Sequence, residues 1–193
     1  MNIAVFCGSG LPGDSRITKA AETLGRRLAE EGHTLIYGGS NLGLMGVVSG
    51  AALQEGGHVV GVIPTLFSEE IIQSQLVTEL VRVRSMAERK EYIIARSDAF
   101  VALPGGIGTI DEVSEVMVMN QLQIVDGKRV LDGTYKTKPM ILLNIDGYYN
   151  PFLDQLRLTK EEGLMRSEAG LLAAADVNEI FNIIEHELPR IDH

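Results

Sequence analysis

The sequence predicts an α/β protein with one doubly wound, Rossmann-like parallel sheet, helices on both faces and a single domain over residues 1–193. Three observations support this fold. Short runs rich in β-branched residues alternate with longer segments whose apolar residues recur at helical spacing. The chain is long enough for one sizeable core but short for two. Its glycines cluster after predicted strands, at the sheet edge where such folds bind ligands.

The predicted elements follow one another as strand and helix. A first strand over 2–7 leads to a helix over 16–32, which ends at Gly32 and whose apolar residues, such as Leu24 and Leu28, have helical spacing. The further strands are predicted at 34–39, 58–64, 80–83, 99–104 and 139–145. The further helices are predicted at 46–57, 86–97, 110–122, 151–162 and 176–187. The polar, turn-rich segment 125–138 predicts an exposed loop or hairpin.

The amino-acid composition narrows the range of possible functions. A formal net charge of −9 and a pI near 4.9 disfavour broad binding to nucleic acid, although one local basic pocket can still hold a phosphate. Cys7 is the only cysteine, so no internal disulfide forms and a reducing compartment is expected. No segment approaches the roughly 20 apolar residues needed to span a bilayer. The N-terminus resembles a strand rather than a signal peptide. We therefore expect a cytoplasmic protein with no membrane partner.

The segment GSGLPG at 8–13 matches the dinucleotide fingerprint G-x-G-x-x-G, but the context does not fit. Pro12 and Asp14 delay the following helix, and the second strand ends in YGGSN without the carboxylate that would hold a ribose. We interpret this segment as a flexible turn at the sheet edge. The P-loop pattern is also absent from the sequence, which argues against a P-loop NTPase.

Two glycine loops at one sheet edge predict a phosphate site. The loop PGGIGT, with Gly105, Gly106 and Gly108, runs from a predicted strand into a predicted helix. Glycine lets backbone N–H groups turn toward a ligand, and the first N–H groups of a helix are unpaired and partly positive. A second loop, GGSNLGLMG at 38–46, has the same arrangement. Together they favour a pocket for a nucleotide or a sugar phosphate.

Glu112 has two interpretations. In the structural one, Thr109 and Glu112 form a capping box at the start of the helix. In the catalytic one, Glu112 stabilises an oxocarbenium-like centre or orients a water beside a bound ribose phosphate. Asp111 points about 100° away on the helix and is interpreted as a solvated first-turn acid.

Positive charge comes from MAERK at 86–90. Arg89 could hold a phosphate or pair with Glu112, whereas Arg82 and Arg84 are expected to be exposed. The four histidines lack metal-ligand spacing, so we predict neither a metal nor another cofactor.

These segments carry a family resemblance. GGSNLGLMG, MAERK and PGGIGTIDE occur in the order and approximate spacing of the Lonely Guy family, and the chain resembles a member nearly end to end. The pattern PGGxGTxxE is the specific one, and LLNIDGYYNPFL at 142–153 also resembles the family. Its proteins are often labelled lysine decarboxylases, but nothing in this sequence resembles a pyridoxal-phosphate lysine site.

The resemblance implies a phosphoribohydrolase, which splits AMP or a cytokinin riboside 5′-monophosphate into free base and ribose 5-phosphate. It also implies a homodimer with pockets near the subunit interface. By motif position, Arg89 and Glu112 would be catalytic. The residues implied to bind substrate or its phosphate are Gly8, Ser9, Gly39, Glu70, Lys90, Gly105, Gly106, Gly108 and Thr109.

The sequence departs from the family pattern at several positions. Ala87 replaces a common histidine, Ser40 a glycine, Ile107 an aromatic residue and Met119 a tryptophan, and the 125–138 loop is long. These changes put the base preference in question. Two alternatives therefore stay open: a nucleotide-binding or carrier protein without turnover, and a hydrolase of another ribose-phosphate compound.

Overall fold

A seven-stranded parallel β-sheet forms the centre of the protein in the computed structural model, which describes residues 1–67, 77–125, 128–130, 136–165, 167 and 170–187. The strands of this sheet and of one small hairpin are β1 Asn2–Phe6, β2 Thr34–Tyr37, β3 Val59–Pro64, β4 Glu79–Val83, β5 Ala99–Ala102, β6 Ile124–Val125, β7 Lys128–Arg129, β8 Met140–Leu143 and β9 Leu171–Ala174. The helices are α1 Ser15–Glu30, α2 Gly43–Gln54, α3 Met86–Arg96, α4 Ile107–Leu122, α5 Asn150–Glu161 and α6 Val177–Glu187.

The strand order of the sheet is β4-β3-β2-β1-β5-β8-β9, with every neighbouring pair parallel. The chain moves outward from β1 to β4, then returns to the other side of β1 with β5. The direction of winding therefore reverses between β1 and β5, where Phe6 pairs with Ala102. A doubly wound sheet opens a crevice at the carboxyl ends of the two strands at this reversal.

The central strands are buried on both faces, as parallel sheets covered by helices require. In β1, Ile3 and Val5 pack into a core that also contains buried residues of α1, α2 and α6. Ala4 and Phe6 point the other way, into a second core with buried residues of α3 and α4. Two apolar layers thus hold the sheet rigid beneath its carboxyl edge. The structure confirms the predicted doubly wound α/β fold.

Several boundaries differ from the prediction, mostly at glycines. Strand β2 ends at Tyr37 rather than at 39, because Gly39 has a φ of 75° and turns the chain away from the strand path. Helix α2 begins at Gly43 instead of 46. Helix α4 begins at Ile107 instead of 110, with Gly106 as its N-cap residue. Both loops are therefore shorter than predicted, and both helix N-termini lie nearer the sheet.

Two further segments bear on the predicted elements, namely the edge strand β9 and the β6–β7 ladder. Strand β9, which the sequence pattern did not predict, pairs with β8 at one edge of the sheet. Strands β6 and β7 form a two-stranded antiparallel ladder at the start of the predicted 125–138 loop or hairpin, of which 126–127 and 131–135 lie outside the described residues. No helix in the described part of the chain is both long and apolar enough to cross a membrane.

Candidate active site

A cavity of about 540 Å³ opens at the carboxyl edge of the sheet, at the winding reversal between β1 and β5. Its walls come from the strand ends and the loops that follow them. The lining residues are Val5, Phe6, Cys7, Gly8, Ser9, Gly38, Ser40, Leu42, Met45, Ile63, Phe67, Met86, Arg89, Gly106, Ile107, Gly108, Thr109 and Glu112. A volume of this size suits a small ligand such as a nucleotide.

One wall of the cavity is backbone-rich and belongs to the N-terminus of α4. Gly106 caps the helix without a side-chain hydrogen bond. In the described part of the chain, the N–H groups of Gly106, Ile107 and Gly108 have no protein acceptor, whereas that of Thr109 donates to the Gly106 carbonyl at 3.1 Å. The unpaired N–H groups carry partial positive charge toward a ligand. Thr109, which is buried, adds a hydroxyl to the same wall. This wall can hold an anionic group such as a phosphate.

Three loops meet at this wall through backbone contacts that only glycine permits. The Gly8 N–H donates to the Pro104 carbonyl at 3.4 Å, and the Leu44 N–H donates to the Gly8 carbonyl at 3.2 Å. A Cβ on Gly105 would overlap the Thr109 hydroxyl, and one on Gly43 would overlap the backbone of Ser9. Gly43 and Gly105 therefore allow the loops after β1, β2 and β5 to contact one another.

Arg89 and Glu112 form an ion pair at the base of the cavity. Helix α3 begins at Met86 after the N-cap residue Ser85, whose side chain accepts from the Glu88 N–H, and this places Arg89 about one turn inside the helix. The Arg89 Nη2 donates to Glu112 Oε1, and the side chains are only 13% and 10% exposed. Gly38 leaves room for the guanidinium, since a Cβ there would lie 3.4 Å from Arg89 Nη1. Within the described residues, the buried Nε of Arg89 has no hydrogen-bond partner.

The cavity perturbs the acid groups that line it. Burial raises the pKa of Glu112 above its ordinary value, and the neighbouring Arg89 partly opposes that rise. Burial, with a further contribution from the charge of Glu112, also raises the pKa of Cys7. Cys7 is therefore a neutral thiol at physiological pH. Of the two groups, only the Glu112 carboxyl is suited to acid–base chemistry.

The structure does not support the capping-box interpretation of Thr109 and Glu112. Because α4 begins at Ile107, Glu112 is the sixth helical residue and lies too far along to reach the helix start. Its carboxylate instead binds Arg89. Asp111 was interpreted as a solvated first-turn acid. It lies in the second turn, is exposed, and accepts from the Lys90 Nζ at 3.0 Å.

The structure brings together seven of the predicted site residues in the cavity lining and places Gly39, Gly105 and Lys90 outside that lining. Those that line the cavity are Gly8, Ser9, Arg89, Gly106, Gly108, Thr109 and Glu112. Gly39 packs against β3, where a Cβ would lie 3.1 Å from the Cβ of Ile63. Gly105 supports the loop contact without lining the cavity, and Lys90 points to Asp111 and Glu115. Glu70 lies outside the described residues.

Apolar side chains also line the cavity; we call them the apolar wall, and the sequence did not indicate most of them. Its residues come from five separate segments, and they are Leu42, Met45, Ile63, Phe67, Met86 and Ile107. Ile107 is 87% exposed at the cavity mouth. Cys7 was identifiable as a residue at the carboxyl end of a central strand. No sequence pattern marked Phe67 as a cavity residue, because it lies in the turn after β3.

Among the described residues, no group of three or more histidine, cysteine or acidic side chains could hold a metal ion.

The chain resembles known proteins over most of its length. Residues 45–185 match the family model described as "Possible lysine decarboxylase". The chain is 39% identical over 190 residues to a probable cytokinin riboside 5′-monophosphate phosphoribohydrolase of Oryza sativa subsp. japonica, covering 97% of this chain and 73% of that protein. It is 38% identical over 190 residues to a cytokinin riboside 5′-monophosphate phosphoribohydrolase of Arabidopsis thaliana, covering 97% and 84%.

A solved structure resembles the fold. The molybdenum cofactor carrier protein from Chlamydomonas reinhardtii superimposes with a TM-score of 0.69 at 22% identity, covering 95% of this chain and 94% of that one. At this identity the match concerns the fold alone.

Proposed function

The chain belongs to the Lonely Guy family, the family of these phosphoribohydrolases, and on that premise we propose that it is a nucleoside 5′-monophosphate phosphoribohydrolase. It would hydrolyse the N-glycosidic bond of AMP or of a cytokinin-type purine riboside monophosphate, releasing the base and ribose 5-phosphate. The observation that carries this proposal is the buried Glu112 carboxyl, which shares one cavity with the N-terminus of α4.

The phosphate would bind at the backbone-rich wall. Within the ranges that the structure describes, the N–H groups of Gly106, Ile107 and Gly108 at the start of α4 have no protein acceptor, and Gly8 and Ser9 approach from the loop after β1. The net charge of the protein is negative, so local backbone dipoles rather than a general positive field must attract the anion. This arrangement would fix the ribose phosphate at a set distance from Glu112.

The Glu112 carboxylate would then act on the ribose. As the bond between C1′ and the base nitrogen breaks, both electrons leave with the base and positive charge develops at C1′. A buried carboxylate stabilises this charge, or takes a proton from the water that attacks C1′. Water supplies the hydroxyl on C1′ and, overall, the proton on the departing base. Arg89 orients Glu112 and holds it ionised through their ion pair.

The direct test measures base release from AMP and from isopentenyladenosine monophosphate by chromatography. We expect Glu112→Gln to lower kcat at least about 100-fold, because it removes the charge and the base. Arg89→Ala should cause a comparable loss. The matched control is Glu115→Gln on the same helix, since Glu115 pairs with Lys90 and does not line the cavity. Full activity in Glu112→Gln would overturn the assigned role.

The same experiment separates the alternatives. Calorimetric binding of AMP without release of base from any nucleotide would support a nucleotide-binding or carrier protein. A panel of phosphorylated ribose compounds would reveal a hydrolase with a different substrate.

We also propose that the protein is a homodimer that uses the outer face of α4. Ile107, Val118 and Leu122 are spaced by 11 and 4 residues, which places them on one face of the helix. All three are exposed in the single chain. Exposed apolar side chains on one face of a helix suit a symmetric contact with a second copy. Because Ile107 also lines the cavity, such a contact would place the cavity mouth near the interface.

A further inference from the structure

Tyr148 does not line the cavity, yet it contacts the loop that forms the backbone-rich wall. Its hydroxyl donates a hydrogen bond to the Gly105 carbonyl at 2.9 Å. We propose that Tyr148 is a positioning residue that fixes the Gly105–Gly106 peptide so that its N–H faces the substrate phosphate. This inference rests on the proposed function, since it assigns the residue that prepares the phosphate site of that reaction.

The geometry of the peptide bond relates the hydrogen bond from Tyr148 to the direction of the Gly106 N–H. In a trans peptide the C=O of one residue and the N–H of the next point in opposite directions. The Gly105–Gly106 peptide is trans, and Gly106 lines the cavity. Because the Gly105 oxygen accepts a hydrogen bond from Tyr148, the Gly106 N–H points to the side of the peptide away from Tyr148. In the described part of the chain, no protein acceptor takes a hydrogen bond from this N–H, which leaves it available for a ligand.

This peptide needs a restraint because glycine lies on both sides of it. Without a Cβ, two adjacent glycines can rotate the peptide plane between them at low cost. In the flipped orientation the carbonyl oxygen would take the place of the N–H and would repel a phosphate. The Tyr148 hydroxyl favours one orientation over the other before a ligand arrives, which lowers the ordering cost of binding.

Tyr148 is itself held in place by its neighbours. A short 3-10 helix, Ile145–Gly147, precedes it, and the N–H of the adjacent Tyr149 donates to Asn144 Oδ1 at 2.7 Å. The rings of Tyr148 and Tyr149 meet edge to face, with centroids 5.1 Å apart. The Tyr149 hydroxyl donates to the Leu103 carbonyl at 2.6 Å. The phenol of Tyr148 therefore extends from an anchored backbone.

The test replaces Tyr148 by phenylalanine, which removes only the hydroxyl. We expect the Kd for ribose 5-phosphate, measured by calorimetry, and the KM for AMP to rise about three- to tenfold, the effect of losing one hydrogen bond. The kcat should stay unchanged, because the phosphate contact is the same in the ground state and in the transition state. The melting temperature should shift by less than about 2 °C, since the side chain is half exposed.

Tyr149→Phe is the matched control. It also removes a hydroxyl that donates to a backbone carbonyl, but that carbonyl belongs to Leu103 and the next residue is Pro104, which has no N–H. We expect this variant to lower the melting temperature, because its hydroxyl is buried, while the affinity for ribose 5-phosphate stays unchanged.

The outcomes separate this inference from the proposed function. Tight binding of ribose 5-phosphate by the wild type together with an equal Kd in Tyr148→Phe would overturn only the role of Tyr148. An equal loss of affinity in both tyrosine variants would also overturn it, because the effect would then be a general loosening of the loops. A wild type that neither binds ribose 5-phosphate nor releases base would overturn both proposals.

Discussion

Glu112 owes its chemical character to two opposing influences at a single position. Burial destabilises the charged carboxylate and raises its pKa, whereas Arg89 stabilises the charge and lowers that pKa. Burial is the larger influence, so the pKa of Glu112 lies above its ordinary value of 4.5. A carboxyl in this state is more basic than an ordinary glutamate carboxyl.

The first prediction concerns the pKa of Glu112 after its partner is removed. We expect the pKa to rise further in Arg89→Met, because burial remains and the stabilising charge is lost. The measurement is a ¹³C NMR titration of labelled glutamate carboxyls, with Glu112→Gln used for assignment. Arg84→Met is the control, since Arg84 lowers the pKa of the exposed Glu88 and not that of Glu112. In the wild type, kcat/KM should fall as the pH falls through the same pKa. An unchanged titration in Arg89→Met would contradict this account.

The second prediction compares two adjacent glycines. A Cβ on Gly105 would overlap the Thr109 hydroxyl and lie 2.9 Å from the Gly8 nitrogen, whereas one on Gly106 meets nothing within 4 Å. We expect Gly105→Ala to lower the free energy of unfolding by about 1–3 kcal/mol through overpacking. Gly106→Ala should lower it less, by about 0.5–1 kcal/mol, because alanine is a poorer N-cap residue than glycine but its Cβ meets no atom within 4 Å. Urea denaturation measures both, and equal effects would show that the loop contacts do not constrain Gly105.

At the scale of elements, α3 and α4 are joined by two neighbouring sets of opposite charges. Arg89 pairs with Glu112 inside the cavity. One residue further along α3, Lys90 donates to Asp111 and to Glu115 on α4, at 3.0 Å and 2.9 Å. Both carboxylates that hold Lys90 are partly exposed. Lys90 therefore contributes to helix alignment rather than to the cavity wall.

The third prediction tests that position of Lys90. The sequence resemblance implies that Lys90 binds substrate, but its Nζ is occupied by two carboxylates outside the cavity lining. We expect Lys90→Met to leave the Kd for ribose 5-phosphate within about twofold and to lower the free energy of unfolding by no more than about 1 kcal/mol, as for a partly exposed ion pair. Calorimetry and urea denaturation give the two values. The control is Arg26→Met, which removes an exposed helix ion pair with Glu30. A tenfold weaker Kd in Lys90→Met alone would restore its role in binding.

The helix starts at the cavity show why element boundaries were only partly predictable. Gly106, Ile107 and Gly108 have weak helix propensity, so the pattern indicated a later start for α4. The structure begins α4 at Ile107, two residues after Gly105, which packs against Gly8 in the loop after β1. Those contacts join residues about 100 positions apart in the sequence, and no local pattern contains them.

For the whole molecule, the alternation of strands and helices was enough to predict the doubly wound sheet. The edge strand β9 was not predictable, because Leu171–Ala174 contains two alanines that favour helices and its strand form depends on pairing with β8. Likewise, the glycine loops could be identified in the sequence, and an ion pair with Glu112 was one of the two interpretations of Arg89. The apolar wall could not be identified, because Leu42, Met86 and Ile107 meet only after the chain has folded.

The fourth prediction concerns assembly through the outer face of α4. Val118 and Leu158 are each 50% exposed, but Val118 lies on the apolar face of α4, whereas Leu158 lies on α5. Light scattering coupled to size exclusion should give the wild type twice the chain mass of 21.0 kDa. We expect Val118→Glu to give a single chain mass, because a symmetric contact would bury two like charges together. Leu158→Glu should stay a dimer. A wild type at the single-chain mass, or a dimeric Val118→Glu, would exclude this face as the interface.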